Sequence, residues 1–183
     1  MNVAVMERPV AGAEKYSTSD ANPYAGTAST PSGDGSLAAI GEKMFVTLTV
    51  ADQLCGVPVQ SVRDVLGEQV ITRIPLAPPE IAGSLNLRGR IVTAIDLRRR
   101  LQLPPPPPGT KLMSVVAEQS GELYALLVDQ VSEVMSLPAS AFERNPQTLP
   151  PSWAGYSAGI YRLSGRLLVV LDVGRVLALS QEG

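Results

Sequence analysis

The 183-residue chain carries a formal net charge of -2, contains no histidine and has a single cysteine, Cys55. The near-neutral charge provides no attractive field for nucleic acid, and the absence of imidazole argues against serine-type triads, histidine general bases and most zinc or iron sites. No internal disulfide can form, and without a base partner Cys55 is expected to be a small buried apolar side chain rather than a nucleophile.

Apolar residues make up 45% of the chain but aromatic residues only 4%, so the predicted core is aliphatic. Short β-branched and aliphatic runs favour strands joined by short helices. No apolar run reaches the length of about 18 residues that a membrane span needs, and the N-terminus lacks the apolar segment of a secretory signal. We therefore expect a cytoplasmic, all-β protein of one or two small domains.

Residues 1–42 form a low-complexity segment rich in Ala, Gly, Ser, Thr and Pro. Such a composition cannot bury enough apolar surface to offset its ordering entropy, so a flexible, disordered N-terminal tail is predicted. Three strands are then predicted, at 44–51, 54–58 and 62–66. The second strand should stop at Pro58, because proline cannot donate to a ladder. A rigid proline-rich surface loop is predicted over 75–79.

Residues 83–101 predict a β hairpin with a two-residue Arg88-Gly89 turn, followed by a short helix that the Asp96 carboxylate caps. The same pattern returns at 159–177, with Asp172 in place of Asp96. Seven of the nineteen aligned positions are identical: Gly83/Gly159, Leu87/Leu163, Gly89/Gly165, Arg90/Arg166, Asp96/Asp172, Arg99/Arg175 and Leu101/Leu177. This similarity indicates that the hairpin unit is duplicated.

A second pair of segments supports the duplication. Residues 55–66 align with 124–135, and Asp64 of the first segment corresponds to Glu133 of the second. Because two blocks recur in the same order, the chain is predicted to be a tandem repeat of one small β unit. Each unit offers about five strands, enough for a small closed barrel. Units of about 65 to 70 residues are near the lower limit for an independent core, so they are expected to share an apolar contact.

Five consecutive prolines, 104–108, predict a stiff polyproline II spacer where the repeat begins again, and a ligand for an SH3-type domain is the alternative. The predicted folded region, 43–180, divides into barrel one at about 44–103, a junction at 104–110 and barrel two at about 111–180. The strands expected in barrel two lie at 112–118, 123–128, 131–135, 159–163 and 166–171, before a closing helix over 173–179.

The two predicted barrels differ slightly in charge. Residues 44–103 contain seven basic and five acidic side chains, whereas residues 104–183 contain five basic and seven acidic ones. Ordinary scatter accounts for such a difference, and the alternative is that unit one of this protein meets unit two of a similar partner.

Residues 82–101 resemble the signature of the CheW domain, which contains Asn-Leu-Arg-Gly followed by an aliphatic pair and an aliphatic-Asp-Leu-Arg stretch. Here these elements are 86–89, Ile91-Val92 and 95–98. The upstream Gly-Val-Pro-Val pattern at 56–65 and the Val-Asp element at 128–134 are also similar, so the resemblance covers about residues 43–180. It departs at Thr93 and Cys55, where the family commonly has proline and an aromatic residue.

The resemblance implies a fold of two tandem five-stranded SH3-like β-barrels. It also implies a non-catalytic adaptor that couples transmembrane chemoreceptors to a CheA-type histidine kinase in chemosensory arrays at the inner face of the membrane. The tips of methyl-accepting chemoreceptors are expected to bind in the groove between the barrels, and the barrel ends to meet the kinase regulatory domain. Ring assembly with like domains is a further implication, and membrane association is expected only through receptors.

Six residues are predicted to bind partners on the basis of this resemblance: Val62, Asp64, Asn86, Arg88, Val131 and Glu133. Val62 and Arg88 match family positions implicated in receptor and kinase coupling. The rigid turn should hold the Arg88 guanidinium out to bridge partner carboxylates or carbonyls. A solvated turn charge or an internal strut is the alternative for Arg88.

No catalytic residue, metal site or cofactor is predicted. An enzyme would have to use the aspartate pair Asp96 and Asp172, for which helix capping is the simpler explanation. An adaptor of a non-motility chemosensory pathway is the alternative that the sequence leaves open.

Overall fold

The structure, a computed structural model, describes residues 41–179. Of the predicted tail, only positions 41 and 42 fall in this range, and Glu42 already belongs to the first strand. The strands are β1 (Glu42–Val50), β2 (Gln53–Pro58), β3 (Val62–Leu66), β4 (Ile81–Leu87), β5 (Arg90–Asp96), β6 (Met113–Gln119), β7 (Glu122–Val128), β8 (Gln130–Pro138), β9 (Ser157–Leu163) and β10 (Arg166–Leu171). The helices are α1 (Leu97–Arg100), α2 (Pro151–Ala154) and α3 (Val173–Leu177).

The strands form two five-stranded sheets, which confirms the predicted fold class. Barrel A has the strand order β8-β1-β2-β10-β9, and barrel B has the order β3-β6-β7-β5-β4. Neighbouring strands are antiparallel except for two parallel pairs, β2 with β10 and β5 with β7. The two barrels therefore have the same arrangement, as the sequence repeat predicts.

The predicted boundary between the barrels is wrong, because each barrel takes strands from both halves of the chain. Barrel A combines β1 and β2 of the first copy with β8, β9 and β10 of the second, and barrel B combines the remaining strands. The division into 44–103 and 111–180 assumed that each copy folds onto itself. Both copies carry the same strand pattern, so the first hairpin of a copy could pair with the strands of its own copy or with those of the other copy. The sequence pattern therefore does not distinguish the two arrangements.

Each sheet is closed by a short bridge that follows its edge strand. In barrel B, Thr72 and Ser84 exchange two backbone hydrogen bonds of 2.8 Å. In barrel A, Glu143 and Ile160 exchange two of 2.9 Å. Since position 72 follows β3 and position 143 follows β8, each bridge joins the two edge strands of its sheet and removes an exposed edge.

Glycine is required beside both bridges. Gly83 has a φ of 148° and Gly159 a φ of 156°. A Cβ on Gly83 would lie 2.2 Å from the carbonyl oxygen of Thr72, and one on Gly159 would lie 2.5 Å from that of Glu143. The repeated glycine of the two sequence blocks is thus explained by barrel closure, since only glycine allows this approach.

Three apolar clusters hold the fold together, and the largest lies between the barrels. Central strands are buried on both faces: in β10, Leu168 and Val170 pack within barrel A, whereas Val169 and Leu171 join the cluster shared with barrel B. This explains the continuous apolar run of β10. The predicted apolar contact between the units is therefore confirmed. Barrel A departs from the aliphatic expectation, because Phe45 and Tyr161 pack with ring centroids 5.5 Å apart.

Both short helices that follow the repeated hairpins are capped as predicted. The Asp96 carboxylate accepts a hydrogen bond from the Arg99 backbone N–H at 3.1 Å, and Asp172 accepts one from Arg175 at the same distance. Each arginine also forms an ion pair with its capping aspartate, at 3.4 Å and 3.3 Å respectively. The repeated Asp and Arg residues are accounted for by these caps.

An ion pair with little exposure joins helix α1 of barrel B to barrel A. Arg98 donates to Asp129 through Nε at 2.8 Å and Nη2 at 2.6 Å, and the two side chains are 12% and 16% exposed. Asp129 also accepts from the Ala51 N–H, in the turn between β1 and β2, at 2.8 Å. Burial by itself raises the pKa of Asp129, but these hydrogen bonds outweigh it and hold that pKa below its ordinary value. The hydrogen bonds from Arg98 to Asp129 raise the pKa of Arg98, although burial opposes this shift.

Arg100 forms a second link, to the C-terminal end of α3. Its guanidinium donates to the carbonyl of Val176 at 3.0 Å and to that of Ala178, and lies 5.0 Å from the ring centroid of Tyr156. A cation suits the unpaired carbonyls at a helix C-terminus. Together the two arginines fix α1 against elements that come from the second copy.

Candidate functional site

The β4–β5 turn presents Arg88 in a constrained backbone conformation. Arg88 and Gly89 have φ values of 51° and 87°, which are typical of a type I′ turn and confirm the predicted hairpin. The side-chain oxygen of Asn86 accepts a hydrogen bond from the Gly89 N–H at 2.7 Å. Asn86 was predicted to bind a partner, and the structure gives its amide oxygen a role in holding the turn.

Arg88 contributes little to the stability of the fold. Its side chain is 84% exposed, and its ion pair with Asp64, at 3.3 Å, is long. Such surface pairs contribute about 0–1 kcal/mol. A left-handed backbone is costly for any residue with a Cβ, and such residues often mark functional positions. The geometry therefore favours an outward-facing arginine over an internal strut.

The ion pair between Asp64 and Arg88 connects strand β3 to this turn. The second carboxylate oxygen of Asp64 accepts from the N–H of Val65 at 2.9 Å. Asp64, Asn86 and Arg88 thus lie at one end of barrel B. The structure brings together these three of the six predicted residues.

Val62 and Val131 occupy corresponding positions on β3 and β8. Both are half-buried, and both pack against the apolar cluster shared by the barrels. The N–H of Val131 faces the sulfur of Met113 at 3.3 Å. These two valines therefore lie along the contact between the barrels.

Glu133 lies on the other barrel from Asp64, although the repeat makes the two residues equivalent. Its backbone N–H and carbonyl both bond to the Thr47 hydroxyl, at 3.1 Å and 2.7 Å. Its carboxylate has no ion-pair partner within residues 41–179. The counterpart of Arg88 in the second hairpin is Ser164, which cannot form the pair. The charged site is therefore present at one barrel and absent from the other.

A group of exposed apolar side chains on barrel B was not predicted from the sequence. Leu76 is fully exposed and has a φ of 61°, and Val70 is 90% exposed in the same loop. A cavity of about 410 Å³ beside this loop is lined in part by Leu76, Arg73 and Arg99. Ile91, next to the Arg88 turn, is 74% exposed. The sequence did contain a signal for this group, namely a short alternation of apolar residues in the proline-containing loop between β3 and β4.

Cys55 and the two repeated aspartates have structural roles in the described fold. Cys55 is fully buried, and burial raises the pKa of its thiol, which confirms the predicted packing role. Asp96 and Asp172 are both engaged as helix caps. Within residues 41–179, no group of three His, Cys, Asp or Glu side chains is placed to hold a metal ion. Over the same range, no helix has the length and apolar character needed to cross a bilayer.

Comparisons with known proteins agree with these observations. The family model for the CheW-like domain matches residues 44–181. A probable chemotaxis protein CheW from Rhizobium etli is 26% identical over 133 residues, which cover 73% of this chain and 86% of the relative. The chemotaxis protein CheW from Klebsiella aerogenes is 29% identical over 138 residues, covering 75% of this chain and 82% of the relative.

A solved structure has a similar fold. The crystal structure of the scaffolding protein TtCheW from Thermoanaerobacter tengcongensis superposes with a TM-score of 0.69 at 25% sequence identity. The match covers 76% of this chain and 95% of that chain. The similarity therefore includes nearly the whole of the neighbour's fold.

Proposed function

Because the chain belongs to the CheW-like domain family, we propose that it is a non-catalytic adaptor that couples transmembrane chemoreceptors to a CheA-type histidine kinase. The observation that carries this proposal is the family match over residues 44–181, which includes almost all of the described fold. The relatives are named as chemotaxis proteins, and the structural neighbour as a scaffolding protein. The adaptor acts in the cytoplasm and reaches the membrane through receptors.

The contact between the barrels is the proposed receptor site. Val62 and Val131 are half-buried at the margin of the shared apolar cluster, one on each barrel. A helical receptor tip that lies along this margin would cover both valines with its own apolar face. Because the shared cluster packs the barrels together, the site is pre-organised and little ordering entropy is lost on binding.

The hairpin end of barrel B is the proposed kinase site. Arg88 is exposed on a tight turn, and Asp64 beside it supplies the opposite charge. The exposed aliphatic side chain of Ile91 lies on β5, opposite Asn86 in the β4–β5 register. An apolar centre with a charged rim is typical of protein interfaces, and the kinase regulatory domain is the partner we infer for it. Glu133 on barrel A offers a carboxylate without the arginine, so the two barrel ends present different surfaces.

These unlike ends allow assembly of like domains into rings. A contact between an end of barrel B and an end of barrel A on the next molecule is heterologous, and such contacts close into rings when the rotation permits. We expect interfaces of about 1,000–1,600 Å² and micromolar affinities for each contact.

Co-sedimentation with receptor-containing membranes tests the proposal. We expect the protein to sediment with membranes that carry a methyl-accepting chemoreceptor. The kinase should sediment fully only when both the receptor and this protein are present. Absence of an interaction with either receptor or kinase would refute the adaptor function.

The variant Arg88→Ala tests the kinase site separately. Loss of one charge-assisted hydrogen bond is expected to weaken kinase recruitment by about tenfold or more, with receptor binding retained. Arg162→Ala is the matched control, because Arg162 is an exposed arginine on the second hairpin that pairs with Glu143 at 3.0 Å. Normal kinase activation by Arg88→Ala would remove Arg88 from the site without affecting the adaptor proposal.

A further inference from the structure

Five consecutive prolines, 104–108, connect α1 to β6 and take no part in the sites described above. Each of residues 103–107 precedes a proline, which disfavours helical backbone, and each proline fixes φ at about -65°. The peptide bonds of residues 41–179 are all trans. These constraints leave a polyproline II helix, which has about three residues per turn. We name residues 103–108 the proline ridge.

The proline ridge is fixed at both ends by hydrogen bonds to its carbonyl groups. Arg98 donates to the carbonyl of Pro104 at 2.8 Å. The N–H and hydroxyl of Thr110 donate to the carbonyl of Pro107 at 3.1 Å and 2.7 Å. Gly109, with a φ of 81°, completes the turn after the ridge. Because folding already orders this segment, a partner would not have to immobilise it.

The exposure of the ridge follows the polyproline period. Leu103 and Pro106, three residues apart, are half-buried, and Leu103 packs against the shared apolar cluster. The remaining prolines of the ridge are exposed: Pro104, Pro105, Pro107 and Pro108. One edge of the helix therefore lies on the protein, while the other two edges face solvent as two proline pairs at a spacing of three.

Two proline pairs at this spacing match the ligands of aromatic-lined grooves. In such grooves parallel aromatic rings receive successive proline rings, and donors on the groove bond to the free carbonyl groups. A second copy of this chain does not offer a row of parallel rings in residues 41–179, because its packed rings are inclined at 57° and 63°. Its half-buried rings, Tyr124, Phe142 and Tyr156, line three separate cavities. The occupant that fits is therefore a different protein.

We propose that the proline ridge is a docking site for a second protein that carries an aromatic-lined, proline-reading groove. The ridge would let an adaptor of this fold recruit a component beyond those bound at the barrels. A stiff connection without a partner is the competing explanation, and the experiment below separates the two.

The test is a titration of the intact protein into three isotope-labelled probes, an SH3, a WW and an EVH1 domain, followed by NMR. We expect saturable shifts at the aromatic groove of at least one probe. A triple variant, Pro104→Ala, Pro105→Ala and Pro107→Ala, keeps the bonded carbonyl groups and the half-buried Pro106. It is expected to lower the affinity by about tenfold or more.

The control is the double variant Pro78→Ala and Pro79→Ala, in which two exposed prolines outside the ridge are replaced and the affinity should stay unchanged. Pro105→Glu, a single change at an exposed ring, provides the same readout if thermal unfolding shows that the triple variant has lost its fold. The proposal is overturned if none of the three probes binds. It is equally overturned if the ridge variants bind as well as the original protein, since the ridge would then act as a spacer only.

Discussion

Asp129→Asn tests whether the Arg98–Asp129 pair holds the two barrels together. Asp129 accepts three hydrogen bonds, two from Arg98 and one from the Ala51 N–H. These bonds join helix α1 of barrel B to the β1–β2 turn of barrel A. Asparagine has nearly the same shape but lacks the charge and one of the two acceptor oxygens, so the replacement leaves the Arg98 guanidinium without its counter-charge.

The expected loss of unfolding free energy follows from the burial of the pair. Breaking a fully buried ion pair by removing one partner costs about 3–5 kcal/mol. Here the side chains are 12% and 16% exposed, so water screens part of the loss. Asparagine also retains one acceptor. We therefore expect a loss of about 2–3 kcal/mol, which corresponds to a decrease in Tm of about 5–10 °C for a domain of this size.

The effect should depend on pH in a defined direction. The folded-state pKa of Asp129 lies below its ordinary value, so the ionised carboxylate stabilises the fold above the unfolded pKa of about 3.9. This stabilisation is lost as the pH falls through the folded-state pKa. The difference between the original protein and Asp129→Asn should be constant near neutrality and become smaller below about pH 4.

Urea unfolding at several pH values measures this difference, and an exposed ion pair supplies the control. Arg63 and Glu118 lie 2.7 Å apart but are 53% and 36% exposed. Glu118→Gln should cost only about 0–1 kcal/mol. If Asp129→Asn costs no more than Glu118→Gln, or if its cost does not change in acid, the Arg98–Asp129 pair is not the link that we describe.

Four further substitutions have expected outcomes. Gly83→Ala should lose more than about 2 kcal/mol of unfolding free energy, because its Cβ would lie 2.2 Å from the Thr72 carbonyl oxygen. Gly109→Ala, at a φ of 81° but with no atom within 4 Å of the new Cβ, should lose only about 1 kcal/mol; equal losses in urea unfolding would contradict the closure role. Cys55→Ser should lose about 1–3 kcal/mol through its buried hydroxyl, and the native thiol should react with a thiol reagent only as the protein unfolds. Arg88→Ala should change the unfolding free energy by less than about 1 kcal/mol, and a larger loss would indicate an internal strut.

Local features of the repeat were predictable because they depend on a few neighbouring residues. The Asp96 cap needs only a carboxylate three residues before a free N–H, and the same holds for Asp172. The Arg88-Gly89 hairpin likewise follows from two strands joined by two residues that accept positive φ. The duplication revealed that two barrels of the same design would form, because it repeats these local signals in the same order.

The exchange of strands between the copies was not predictable from the same signals. The β1–β2 hairpin could complete the barrel of either copy, since both copies offer equivalent edges. What distinguishes the two arrangements is contact between residues that differ between the copies. Arg98 and Asp129 are such residues: their counterparts in the repeat are Gly174 and Gln60, which cannot form an ion pair. A repeat alignment gives weight to shared residues and therefore overlooks this pair.

The residues that break the repeat also explain the charge difference between the two halves of the chain. Arg88, Arg98 and Arg100 in the first copy correspond to Ser164, Gly174 and Val176 in the second, a list that contains no charged residue. Arg98 and Arg100 are only 12% and 11% exposed, and both bind groups that the second copy contributes. The charge difference between the two halves suggested a contact between molecules, but much of it thus reflects arginines that bind groups within the same molecule. Arg88 is different, because it is 84% exposed and its ion pair is weak. Of the three additional arginines, it alone is placed to meet another protein, and for that reason we assign the partner contact to the β4–β5 turn.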